Sequence, residues 1–172
     1  MKYRFKGLDE YVKRLEALSN IVNAEICVEN AVTKGSEVVA DYTVKELKDL
    51  PTDDTPQRID KRKGIRSIQK AFLIRTFGVS PLETKRNYTN RKTGVDRETL
   101  NYSDRSGYLP AVTLARMVEN GTSYFDKNPV FKRASRKART PCLEAMQQSL
   151  NEDIEQITAY NVKRLKRREL NG

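Results

Sequence analysis

The sequence predicts an α+β fold in one domain, residues 1–172: a small antiparallel sheet packed against long N-terminal and C-terminal helices, with an extended basic central arm. Three observations carry this expectation. Apolar residues recur at spacings of three and four near both ends, the mark of amphipathic helices. Short runs of aromatic and branched residues between them read as strands. Residues 51–70 and 83–107 are polar and basic and read as loops or arms. With 37% hydrophobic and 33% charged residues, the core must be thin and much of each element must face water or a partner.

Lys2-Tyr3-Arg4-Phe5-Lys6 alternates polar and aromatic positions, as a first strand with one buried face would. Leu8-Asp9-Glu10 opens a helix with acids in its first turn, continued by Tyr11, Val12, Leu15 and Leu18. A second helical run carries Ile21, Ala24, Val28, Ala31, Val32, Val38, Val39, Tyr42 and Leu47, interrupted by Gly35, and ends before Pro51. Turn residues from Pro51 to Pro56 lead into the basic stretch of Arg58, Lys61, Arg62 and Lys63.

Ala71 to Val79 is rich in aromatic and branched residues, closes at Ser80-Pro81 and is expected to be the central strand. The segment around Thr93-Gly94 suits an extended hairpin or arm. A short helix follows from Pro110 to Glu119, burying Ala111, Leu114, Ala115 and Val118 and stopping at Asn120-Gly121. Asn128-Pro129 supplies a cap and first-turn proline for the next helix, which Pro141 is expected to bend or restart with Thr140 as the new cap. Leu143, Met146, Leu150, Ile154, Ile157, Val162 and Leu165 mark the apolar stripe of this long C-terminal helix.

The chemistry available is narrow. The chain has no histidine, which excludes Ser-His and Cys-His activation and histidine general-base catalysis. Cys27 and Cys142 are too few for a zinc site and read as small core residues. Asp53-Asp54 is the most compact acidic pair, expected to serve a turn or a helix cap; a nuclease would need further carboxylates brought beside it. The glycines stand apart, so no phosphate-binding loop is formed. No cofactor, metal or catalytic residue is therefore expected, and the chain reads as an assembly subunit rather than an enzyme. Met1 to Lys6 contains no apolar signal region and no run approaches membrane-spanning length, so synthesis in the cytoplasm is expected.

A formal net charge of +10 favours contact with a polyanion. Two clusters are candidates to face DNA or bridge subunits: Arg58, Lys61, Arg62 and Lys63 in the arm, and Lys163, Arg164, Arg167 and Arg168 near the C-terminus. Tyr88, Tyr102, Tyr108 and Tyr124 among basic residues offer stacking surfaces for single strands. The alternative function is thus a free, sequence-independent nucleic-acid-binding protein.

Lys6-Gly7-Leu8-Asp9-Glu10, Met117-Val118-Glu119-Asn120-Gly121-Thr122-Ser123 and Asn128-Pro129-Val130-Phe131-Lys132-Arg133-Ala134, in this order, resemble the head-to-tail joining and tail-completion (neck) proteins of tailed bacteriophages, relatives of the lambda minor tail protein Z. The middle departs from that pattern: Pro51 to Pro56 stands where the family has Thr-Gly-x-Leu, although Ser67-Ile68 matches its Ser-Ile pair. The resemblance implies a virion protein assembling with itself as a ring, a hexamer, that completes the tail and joins it to the head connector. It makes Glu119, Gly121, Thr122, Pro129 and Phe131 the residues of a structural turn and helix start. It also implies the connector or stopper and the tail tube as partners, with non-specific contact to DNA in the lumen.

Overall fold

A computed structural model describes residues 24–55, 63–85, 88–101, 108–124 and 126–170. The fold is α+β, mostly helical with small two-stranded antiparallel sheets. Helix α1 spans Ala24–Lys48 and helix α2 spans Ser67–Thr76. Strands β1 (Phe77–Val79), β2 (Glu83–Lys85), β3 (Tyr88–Asn90), β4 (Thr93–Val95), β5 (Thr99–Asn101) and β6 (Tyr108–Pro110) follow. Helix α3 (Ala111–Asn120) and the 41-residue helix α4 (Val130–Leu170) complete the described order. The expected strand at Lys2–Lys6 and helix from Leu8 to Leu18 lie outside the described residues.

The frame is the antiparallel pair α1 and α4. Asn30 donates to Asp153, Gly35 lies against Cys142 and Met146, and Glu46 meets Arg133 and Lys137, so positions rise along α1 as they fall along α4. Cys27 and Ala31 from α1 and Cys142, Met146 and Leu150 from α4 form one buried cluster, flanked by half-buried Val28, Val32, Val38, Val39, Ile154 and Ile157. Gly35 does not interrupt α1. A Cβ there would fall 2.6 Å from Met146 Cγ and 3.1 Å from Cys142 Sγ, so the glycine admits α4 to the surface of α1.

A second cluster fills the other end. Leu47 and Leu50 close over Ile65, over Phe72 and Leu73 of α2, over Ala111, Leu114, Ala115 and Val118 of α3, and over Val130. The α3 set is the one expected from spacing. Leu47, Leu73 and Leu114 are fully buried, each stabilising the fold by roughly 1.5–3 kcal/mol.

The strand expected at Ala71 to Val79 fails here, and of the bend or restart expected at Pro141 the restart is absent. The segment expected as a strand from Ala71 to Val79 is helical to Thr76, and only Phe77–Val79 is extended. Phe72, Leu73 and Thr76 are its buried residues, a one-sided helical set, and packing against α1 and α3 overrides the β preference of its branched residues. The long C-terminal helix neither ends nor restarts at Pro141. The proline removes one intrahelical donor, but Ala138, Cys142 and Met146 keep the surrounding turns packed on α1.

The central strands form two hairpins. β1 pairs with β4 and β2 with β3, in line along one long hairpin. Residues 80–82 face residues 91–92 between the two ladders, an extra residue on the first strand that makes a bulge. Ser80 holds it: its amide donates to the Lys92 carbonyl at 2.7 Å, its hydroxyl accepts from the Lys92 amide at 2.9 Å, and its carbonyl accepts from Arg91 Nε at 2.9 Å. The distal ladder is tied to α1 where Thr84 Oγ1 donates to Glu29 at 2.6 Å. The described part of 83–95 is therefore a hairpin tied to α1 rather than a free arm. β5 and β6 form the second hairpin, and the Glu98 carbonyl accepts from the Ala111 amide at its base.

Candidate functional site

The resembling stretches from Met117 and from Asn128 meet in space. α3 ends because Gly121 turns left-handed, with φ +76°, and donates its amide to the Met117 carbonyl at 2.8 Å. The chain returns at once: the Asn128 amide donates to the Val118 carbonyl at 2.9 Å, and a Cβ on Gly121 would lie 2.8 Å from the Lys127 nitrogen. Thr122 Oγ1 accepts from the Tyr124 amide at 3.1 Å, closing the turn locally.

Glu119 then does what the sequence reading assigned to Asn128. Its carboxylate accepts from the Phe131 amide at 3.0 Å and the Lys132 amide at 3.2 Å, capping the first turn of α4. Asn128 Oδ1 is buried and accepts no hydrogen bond in the structure. Pro129 precedes the helix, and its carbonyl accepts from the Arg133 amide at 3.0 Å. Val130 is fully buried, and the Phe131 ring tilts against Phe77 with centroids 6.3 Å apart. Glu119, Gly121, Thr122, Pro129 and Phe131 are thus brought together into one clasp that sets α4 against α3 and β1.

A charged site beside the clasp was missed by the sequence reading. Glu46, 6% exposed on α1, accepts from Arg133 Nε at 2.9 Å and from Lys137 Nζ. These hydrogen bonds, Lys137 first and Arg133 second, hold its carboxyl below the ordinary range against the opposing effect of burial. A signal was present. Cations four residues apart in the first turns of a helix oppose its dipole and call for an acid from elsewhere.

Asp53 and Asp54 serve a turn and a cap. Asp53 accepts from the Thr55 amide and hydroxyl, while Asp54 accepts from the Ser67 amide at 2.8 Å and from the Ser67 hydroxyl at the start of α2. The Ser67 bonds hold the Asp54 carboxyl below its ordinary range. Among the described residues no three acidic, cysteine or histidine side chains come together as metal ligands. Cys27 and Cys142 are buried free thiols, and burial pushes both upward from the usual thiol range.

The two basic clusters are only partly described. Lys63 is exposed, whereas Arg58, Lys61 and Arg62 lie outside the described residues. Lys163, Arg164, Arg167 and Arg168 occupy the last turns of α4, with side chains outside the described set. Of the tyrosines, Tyr88 sits on the distal hairpin with Lys85 Nζ 5.7 Å from its ring centre, and Tyr124 is 74% exposed between α3 and α4. Tyr102 and the Tyr108 side chain fall outside the described residues. Among the described residues no helix is long and apolar enough to cross a membrane. Comparison of the chain with protein-family models, with curated proteins and with solved structures finds no match.

Proposed function

We propose that the chain is a structural subunit of the neck or upper tail of a tailed bacteriophage, assembling as a ring, a hexamer, that completes the tail and joins it to the head connector. The observation that supports this reading is the bond from Glu119 to the amides of Phe131 and Lys132. It joins two of the three stretches that resemble the neck family into a single structural unit. In this reading α1 and α4 are the rigid frame, and the surfaces they leave exposed meet neighbouring subunits, the connector or stopper and the tail tube.

Arg58, Lys61, Arg62, Lys63, Lys163, Arg164, Arg167 and Arg168 then bridge subunits or face DNA through its phosphates, without reading sequence. The protein resides in the virion, having been made in the host cytoplasm. Purified particles of the tailed phage that encodes the chain provide the test: labelling at the head-to-tail junction in electron micrographs is expected. Absence of the protein from such particles would sink the proposal.

A further inference from the structure

Between Lys127 and Leu143 the chain carries six cations and no acid. Arg133 and Lys137 share the buried carboxylate of Glu46, whereas Lys132, Arg136 and Arg139 are exposed and take part in no described ion pair. At 3.6 residues per turn these three fall within about 60° of one another around α4, in a row about 10 Å long. The row lies opposite Val130, Ala134 and Ala138, the buried residues of the same turns, and so faces outward. The acids further along, Glu144, Glu152 and Glu155, are turned on average about 150° from it and leave its face uniformly basic. Glu119, which meets the first turn of α4, is engaged by the amides of Phe131 and Lys132. The row works against its own helix: Lys132 and Arg136 are like charges four residues apart, and Lys132 opposes the dipole in the first turn.

We infer that this row is a phosphate-binding edge for duplex DNA, contacted without reading its sequence. Each strand of a duplex carries a phosphate about every 3.4 Å of its axis, so the row spans about three phosphates of one strand. Three cations thus meet three anions, and the repulsion within the row is relieved. Ser135 and Thr140 flank it, and 130–143 exposes no apolar side chain that could enter a lipid surface. No aromatic stands in the row to stack an unpaired base, which sets it apart from a groove for single strands. The row is separate from the two basic clusters considered above, on the arm and in the last turns of α4. It does not rest on the neck reading, because a lone chain presents it.

Fluorescence anisotropy of the full chain with a short labelled DNA duplex tests this. Three phosphate contacts contribute about −2.7 to the slope of log K against log salt concentration. K132Q/R136Q/R139Q should flatten the slope by that amount and weaken binding at ~0.05 M salt at least ~10-fold. R136Q/R139Q, which spares the first turn of α4, should flatten it by about 1.8. R136K/R139K keeps the charges and should bind as the parent does, and the parent should bind duplexes of unrelated sequence equally. K34Q/K45Q/K48Q removes as much charge from exposed positions of α1 and should change the slope by less than about one. Circular dichroism should show the row variants folded and at least as stable as the parent, since repulsion is removed. An unchanged slope, a loss no larger than that of the α1 control, or tighter binding to a single strand than to the duplex would overturn the inference. So would a parent chain that binds phosphatidylserine vesicles but no duplex, or one that leaves the duplex alone and self-associates through the row.

Discussion

Glu119, in the last turn of α3, caps the first turn of α4 by accepting the amides of Phe131 and Lys132, so the end of one helix fixes the beginning of the next. Removing this carboxylate by Glu119→Ala should cost about 1–2 kcal/mol, the range of a lost helix cap. Glu119→Gln keeps an acceptor but loses the charge, and should cost less. Urea denaturation of the three proteins checks the order, and equal stabilities would show that the cap contributes nothing.

Gly121→Ala combines a left-handed backbone with a Cβ placed 2.8 Å from the Lys127 nitrogen. The expected loss is about 1–3 kcal/mol. Thermal unfolding reads it directly, and an unchanged midpoint would contradict the geometry of the turn.

Glu46 is buried while its partners reach water, so the two ways of breaking the site differ. Glu46→Gln leaves Arg133 and Lys137 able to turn outward and should cost about 1–2 kcal/mol. The double variant R133A/K137A strands a buried carboxylate and should cost about 3 kcal/mol at neutral pH. Denaturant melts of both variants test this asymmetry.

The same carboxyl sets a pH dependence. Its folded pKa is depressed, so the stability it contributes is fully present above its unfolded value of about 4.3 and is lost as pH falls through the lower folded value. Asp54 at the start of α2 is depressed in the same direction and adds to the loss in acid. The stability difference between the parent chain and Glu46→Gln should therefore be constant near neutrality and shrink below about pH 4. A difference that persists in strong acid would rule out the ion pairs as its cause.

Cys27 and Cys142 are buried with thiols raised above the ordinary range. An aromatic disulfide reagent should label neither in the folded protein and both in denaturant. Rapid labelling of the native chain would place a thiol at the surface.

Much of this was legible in the sequence because it is local. Ala111, Leu114, Ala115 and Val118 share a helical face, and Gly121 ends it, for reasons contained within eleven residues. The turn in which Asp53 accepts from Thr55 followed from the same local chemistry, whereas the cap formed by Asp54 reaches Ser67 thirteen residues on. What escaped depends on distant partners. Ala71 to Thr76 has β-type residues, yet Phe72 and Leu73 are needed on one helical side by α1 and α3. In the α4 seam Met146 and Leu150 are buried as their spacing implies, but small Cys142, rather than half-buried Leu143, completes the set. Glu119 and Glu46 each act on α4 from another helix, and no spacing rule joins positions that far apart.

The separation of the two apolar clusters divides the molecule into regions of unequal cooperativity. The end closed by Leu47, Leu73, Leu114 and Val130 draws on several elements at once. The other end depends on a single seam between α1 and α4 around Cys27, Ala31, Met146 and Leu150. Amide protons in that seam can therefore exchange by opening one helix from another, while those around Leu114 must wait for global unfolding.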